Sequence, residues 1–186
     1  MEKYKLLILG LLLFVTNCGG GSDYIPPPIE DFPPVVNEVD SEALLALVNE
    51  ARVNGYDCGT EGYFEPTHLL VLNDKLSASA LSKTYDMAYS GKPFEHGSSG
   101  TKYDELQHSS NFSILIKRYY GCYHSVGENI GAGQKSELEV FKGWMKSDGH
   151  CRNIMASKFT DIGLAKVTHS DSRYVIYWTQ HFGSKR

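Results

Sequence analysis

The stretch from Gly127 to Met155 constrains the chain most, because it fixes where one helix starts and places a carboxylate and a histidine at its two ends. Ser136-Glu137-Leu138-Glu139 reads as a capping box, the serine hydroxyl taking an orphan amide and Glu139 reaching back to the start. A helix is therefore predicted from about Glu137. Leu138, Phe141 and Met145 recur at helical spacing with Val140 and Trp144 beside them, a wide apolar face that belongs at the centre of a core. Asp148-Gly149 is predicted to stop this helix and turn His150 back over it. Trp144, Ser147 and His150 follow one another at three-residue steps, so Ser147 and His150 should emerge together where the helix ends. Glu128, among glycines, is predicted in a loop that leaves its side chain uncrowded.

Three further helices are legible. Asp40 or Ser41 caps the first, running to about Val53 with Leu44, Leu47, Val48 and Ala51 inward. Asn49 and Arg52 on it are expected to anchor neighbouring loops by hydrogen bonds. Asn73 caps the second, Asp74 to about Tyr89, with Leu76, Ala80, Thr84 and Met87 inward and Gly91 and Pro93 ending it. The third runs from Asn111 to Tyr120, with Ile114, Leu115 and Tyr119 as its core contacts and Gly121 as C-cap. Ile162 to Val167 and Tyr174 to Phe182 are rich in strand formers and are separated by a polar turn, which predicts an antiparallel hairpin. Helices followed by strands imply an α+β sandwich with helices covering a small sheet.

The start of the chain reads as an address. Lys3 and Lys5 precede the apolar run Leu6 to Val15, about half of what a bilayer-spanning helix needs, so residues 1–17 read as a signal peptide. Cys18, followed by Gly19-Gly20-Gly21-Ser22, looks like the lipidated first residue of a bacterial lipoprotein. Residues 18–38, with five prolines between Pro26 and Pro34, form a semi-rigid tether that holds a domain, 39–186, off a membrane. The formal net charge of −4 and the lack of any basic run argue against nucleic acid as a partner. With Cys18 used by lipid, two of Cys58, Cys122 and Cys151 should pair in an oxidising compartment. Cys58 with Cys151 is the expected bridge, leaving Cys122 as a buried or free thiol, and Cys58 with Cys122 is the competing one.

Gly127-Glu128-Asn129-Ile130, Trp144, Gly149-His150, Asp161-Ile162-Gly163 and Tyr177-Trp178-Thr179-Gln180 together resemble the CAP superfamily, in its bacterial secreted branch. This is the group of SCP domains found in cysteine-rich secretory proteins, antigen 5 and the plant pathogenesis-related proteins. The resemblance spans about Ser41 to Gly183 and implies a three-layer α-β-α sandwich with a large cleft. In much of the family that cleft carries two histidines and two glutamates able to hold a divalent cation. By position, His96 in Phe94-Glu95-His96-Gly97 matches the first histidine, Glu128 a glutamate and His150 the second histidine, while Ser147 stands where animal and plant members have the second glutamate. The resemblance also implies a bridge between a cysteine after the first helix and one directly after the cleft histidine, here Cys58 and Cys151.

Two imidazoles and a carboxylate suffice for an open zinc site whose bound water has a lowered pKa. No separate general base is evident in the central stretch, and Ser147 lacks an oxyanion-hole context. The expected role is a non-catalytic, tethered module of the cell envelope binding a lipid, peptide or glycan. A metal-dependent or Ser/His hydrolase is the alternative, and a structural or adhesive envelope protein the third reading. His68, His108 and His169 are expected at the surface, His124 within reach of the cleft as the less favoured of its two placements, and His181 outward-facing or packed on aromatics. Tyr174, Tyr177 and Trp178 are expected in the core or on a sheet face.

Overall fold

The computed structural model describes residues 36–92, 94–97 and 111–185. The predicted signal peptide, Cys18, the tether up to residue 35, and His108 lie outside the described residues. In chain order the elements are α1 (Ser41–Asn54), β1 (Tyr56–Asp57), β2 (Tyr63–Phe64), β3 (Val71–Leu72), α2 (Asp74–Tyr89), α3 (Phe112–Tyr120), β4 (Ser125–Ala132), α4 (Glu137–Met145), α5 (Asp148–Met155), β5 (Asp161–Thr168) and β6 (Ile176–Ser184). Three caps are those the sequence calls for: Asp40 accepts from the Ala43 amide, Asn73 from Lys75 and Leu76 and Ser136 from Glu139. Asn111, predicted as the first residue of the third helix, is its cap and accepts from Ser113. Glu139 reaches back to the Lys135 amide at 2.9 Å, one residue beyond the N-cap amide that a full capping box would use. The folded unit already includes Asn37, whose side chain pairs with the Leu164 carbonyl and the Lys166 amide.

The main sheet has the order β3-β5-β6-β4, antiparallel except for β3, which runs parallel to β5. Because strand side chains alternate, Ile162, Leu164, Trp178 and Phe182 face one layer of helices. They pack there with Leu44 and Val48 of α1, Val140 and Trp144 of α4, and Cys151 and Ile154 of α5. The other face takes α2, with α3 beside it. The architecture is the expected α-β-α sandwich.

Two helical faces sit differently from the sequence reading. Leu138 is exposed, and α4 is buried through Val140, Trp144 and Met145. On α3 the buried residues are Leu115, Ile116 and Tyr120, while Ile114 is exposed, a rotation of about one residue. Both helices have apolar side chains around most of their circumference, and the neighbours decide which stripe is covered.

Arg52 and Asn49 are anchors as expected. Arg52 is fully buried, and its guanidinium donates to four carbonyls, those of His68, Ile154, Ala156 and Phe159. Burial lowers its pKa to about 10. Asn49 exchanges two hydrogen bonds with the Leu70 backbone. Cys58 is bonded to Cys151, with Cα atoms 5.5 Å apart and a sequence separation of 93. A spare thiol at Cys122 is not found: no cysteine is free among the described residues.

The layers touch backbone to backbone at Gly163. A Cβ there would lie 2.0 Å from the Leu76 carbonyl carbon and 2.2 Å from the Ser77 amide, so the first turn of α2 rests directly on the β5 backbone. Gly163→Ala should cost about 3 kcal/mol or more by overpacking. Gly149→Ala, on α5 with open space around it, should be neutral or stabilising by up to about 1 kcal/mol. Urea unfolding of the two variants checks the contrast.

Candidate functional site

Strand register builds the site. Glu128 on β4 pairs with His181 on β6, and His181 pairs with Gly163 on β5, so the three form one row across the sheet on the face covered by α2. Glu128 is thus in a strand, and not in the open loop its glycine neighbours suggested. The glycines serve another purpose: a Cβ at Gly127 would meet the Phe159 ring at 2.8 Å, and one at Gly131 the Val140 side chain at 2.8 Å. They let the opposite helical layer close onto β4.

Glu128 is 3% exposed, and each of its oxygens has a partner. His96 Nδ1 lies 2.8 Å from Oε1, and His181 Nε2 lies 2.8 Å from Oε2. Burial alone would raise the carboxyl pKa. The hydrogen bonds from His181 and His96, with the charges of His181 and Lys83, outweigh it and hold the group below its ordinary value. Lys83 is buried on α2, and its ammonium donates to the Gly97 carbonyl, which pins the segment carrying His96.

His150 reaches the site from the other layer. Asp148 and Gly149 do not merely stop α4: Ser147 turns extended, at φ −101° and ψ 116°, and α5 begins at once, with His150 in its first turn. Asn129, on the face of β4 opposite to Glu128, donates to the His150 carbonyl at 3.1 Å and accepts from Asn153 at 3.0 Å. Asn153 also donates to the Glu128 carbonyl at 3.2 Å. From the far side, α5 is held by the disulfide at Cys151, by Thr60 donating to Asp148 and by Arg152 donating to Glu61 at 2.6 Å. The hydrogen bonds from Thr60 depress the Asp148 pKa.

His96 and His150 therefore meet over edge strand β4, their ring centres 6.2 Å apart and tilted by 47°. The His150 pKa is lowered, first by burial and then by the nearby charge of His96, which favours the neutral ring. The structure brings His96, Glu128 and His150 together, although among the described residues no three His, Cys, Asp or Glu side chains surround a single point as metal ligands. Glu128 meets His96 by a hydrogen bond. Ser147 opens the turn that carries His150, and its side chain makes no capping bond.

His181 is the residue that sequence reading missed. It is fully buried, between Glu128 and Ser79, whose hydroxyl lies 2.7 Å from His181 Nδ1. Alternation along β6 places it with Tyr177 and Thr179, but only the register with β4 sets it opposite Glu128. His124 is exposed, His68 is exposed with its ring on the Phe159 carbonyl, and His169 is half-buried, hydrogen-bonded to the Ala88 carbonyl and stacked on Tyr89. Tyr177 and Trp178 are core residues, as expected.

A model of the cysteine-rich secretory protein family matches residues 45–182. The Bacillus subtilis (strain 168) protein YkwD is 36% identical over 118 residues, which is 62% of this chain and 40% of YkwD. The chain thus spans about two fifths of the length of that relative. Among solved structures, an extracellular protein containing a SCP domain from Bacillus anthracis str. Ames is similar with a TM-score of 0.57 and 22% identity, over 77% of this chain and 40% of that one. An outer surface protein from Borrelia burgdorferi is similar with a TM-score of 0.60 and 15% identity, over 78% of this chain and 92% of that one. Both structural likenesses are likenesses of fold.

The lowered values make stability depend on pH with definite signs. For His150 the unfolded ring takes up a proton below its ordinary 6.5 that the folded ring resists, so stability falls as pH drops from there through the folded value. Glu128 contributes fully above its ordinary 4.5, and that contribution is lost as pH falls through its lower folded value. Urea midpoints followed from neutral to acid pH should show the first decline in wild type but not in His150→Gln, and a second decline that is larger in wild type than in Glu128→Gln, where Asp148 still contributes.

Proposed function

The chain belongs to the cysteine-rich secretory protein family, and from that premise we propose that it is an extracytoplasmic, membrane-tethered binding module without chemistry of its own. Its cleft holds a divalent cation, zinc, and receives a lipid, peptide or glycan ligand. The observation that carries this reading is the commitment of Glu128 to two imidazoles. A general base must reach the proton it abstracts. A carboxylate buried to 3% exposure with both oxygens engaged is placed to hold a cleft in shape.

His96 and His150 would hold the ion. Imidazole nitrogens suit zinc, and two rings sharing one ion have centres roughly 5–6 Å apart. The 6.2 Å separation here lies just outside that range, and the His96 side chain is half-exposed and has room to turn. Bound there, zinc would supply a positive charge able to draw a carbonyl or anionic group of the ligand. Glu128 accepts from His96 and so orients the ring, as carboxylates do behind metal-binding histidines.

An extracytoplasmic place is supported by the Cys58–Cys151 disulfide, since such bonds persist in oxidising compartments. The extracellular and outer-surface descriptions of the two structural relatives agree with it. The signal-like start and Cys18 are the proposed anchor, a lipid on the cysteine sulfur, which excludes that sulfur from any disulfide. Palmitate labelling of the expressed protein should be present in wild type and absent in Cys18→Ser; an unlabelled, fully secreted wild type would rule the anchor out.

Calorimetry with zinc at neutral pH tests the cleft. Saturable one-to-one binding is expected in wild type, lost in His96→Ala and His150→Ala and kept in Ser147→Ala. Turnover of an ester or peptide panel, abolished by His150→Ala, would replace the binding module by a hydrolase. A folded wild type that takes up no zinc would leave the His/Glu cluster as an internal hydrogen-bond network of a structural protein.

A further inference from the structure

An ionised carboxylate can only accept hydrogen bonds. Since Glu128 Oε1 faces His96 Nδ1 and Oε2 faces His181 Nε2, each of those two nitrogens carries a hydrogen. For a neutral His96 this fixes the tautomer: the proton sits on Nδ1, and the Nε2 lone pair is bare.

The orientation of Glu128 in turn needs a support, because a carboxylate held at one oxygen can rotate. His181 is that support, and it is itself held. Its Nδ1 lies 2.7 Å from the Ser79 hydroxyl, which also lies 2.9 Å from the Leu76 carbonyl. Ser79 and His181 are fully buried, so no bulk water competes for these bonds. Ser79 reaches the ring because α2 rests on the sheet at Gly163, the residue paired with His181. Ser79 gives its one hydroxyl hydrogen to the Leu76 carbonyl, so the chain is complete when His181 Nδ1 also carries a hydrogen and donates to Ser79; its members then fix one another.

We propose that Ser79 and His181 are positioning residues: they hold the Glu128 carboxylate so that it accepts from Nδ1 of His96 and leaves His96 Nε2 as the donor offered, together with His150, to a divalent cation. The cation part rests on the reading of the cleft given under Proposed function. Neither Ser79 nor His181 touches the ion.

The test has one readout that needs no metal. Two-bond proton–nitrogen NMR on the 15N-labelled whole protein reports the tautomer of each histidine, and cobalt titration by visible absorption reports affinity. Wild type should show His96 as the Nδ1–H form. His181→Leu should lose that single tautomer and bind cobalt about 10- to 100-fold more weakly. His181→Gln, whose amide nitrogen can stand where Nε2 stands, should keep both, and Ser79→Ala should fall between. If His181→Leu does not fold, the wild-type tautomer and the Ser79→Ala and His181→Gln variants carry the decision. An Nε2–H form of His96 in wild type overturns the proposal, as does an unchanged tautomer with unchanged affinity in His181→Leu or, failing that, in Ser79→Ala. A wild type that binds no cobalt yet shows the Nδ1–H form, lost in His181→Leu, sinks the cation reading while upholding the positioning.

Discussion

The contact between the first turn of α2 and Gly163 is the constraint on which the rest of the structure depends. Helix backbone and strand backbone meet there with no side chain between them. That approach puts Ser79 within hydrogen-bond distance of His181, and strand pairing puts His181 against Glu128. It also lets Thr84 of α2 bond Thr179 of β6 at 2.8 Å, so that α2 is held to the sheet by polar contacts along its length as well as by apolar ones. A buried polar layer of this kind is costly unless every member is satisfied. Here the chain from Leu76 through Ser79, His181 and Glu128 to His96 is continuous.

The site is assembled across an edge. β4 carries Glu128 toward α2 and Asn129 toward α5, one residue apart, because successive strand residues point to opposite faces. Each layer thereby contributes one histidine, His96 from the segment after α2 and His150 from the first turn of α5. The second of these is the better fixed. Asn129 and Asn153 hold α5 to β4, and the disulfide, closing a long loop, contributes on the order of 4 kcal/mol in the chain-entropy model. His96 has a half-exposed side chain and is tied through Glu128 and, at Gly97, through Lys83. The cluster therefore has one histidine on a helix held by several long-range bonds and one whose side chain is half-exposed.

Charge follows from the same arrangement. A buried carboxylate would ordinarily favour its neutral form, yet Glu128 is held ionised by donors that the fold places around it. His150, more buried than His96 and facing it, is kept toward its neutral form. Glu128 is held low by its imidazole partners against the effect of burial, whereas His150 is lowered first by burial and then by the charge of His96.

The sequence by itself determined the parts that depend on near neighbours along the chain. The starts of the four predicted helices, the end of α2 at Tyr89 and the antiparallel hairpin of β5 and β6 all follow from caps, turns and periodicity, which act within a few residues. The family resemblance carried His96, Glu128 and His150 to one place before any contact was visible. Tertiary structure alone decided what depends on distant segments. Gly127 and Gly131 look like loop residues until Phe159 and Val140 are seen lying on them. Asp148-Gly149 looks like a stop until α5 is held against β4 and the Cys58 turn. His181 is one more histidine on a strand until the register of β4 sets it against a buried carboxylate. Pairing register and layer contact join residues far apart in the chain, and no local pattern encodes which of them will meet.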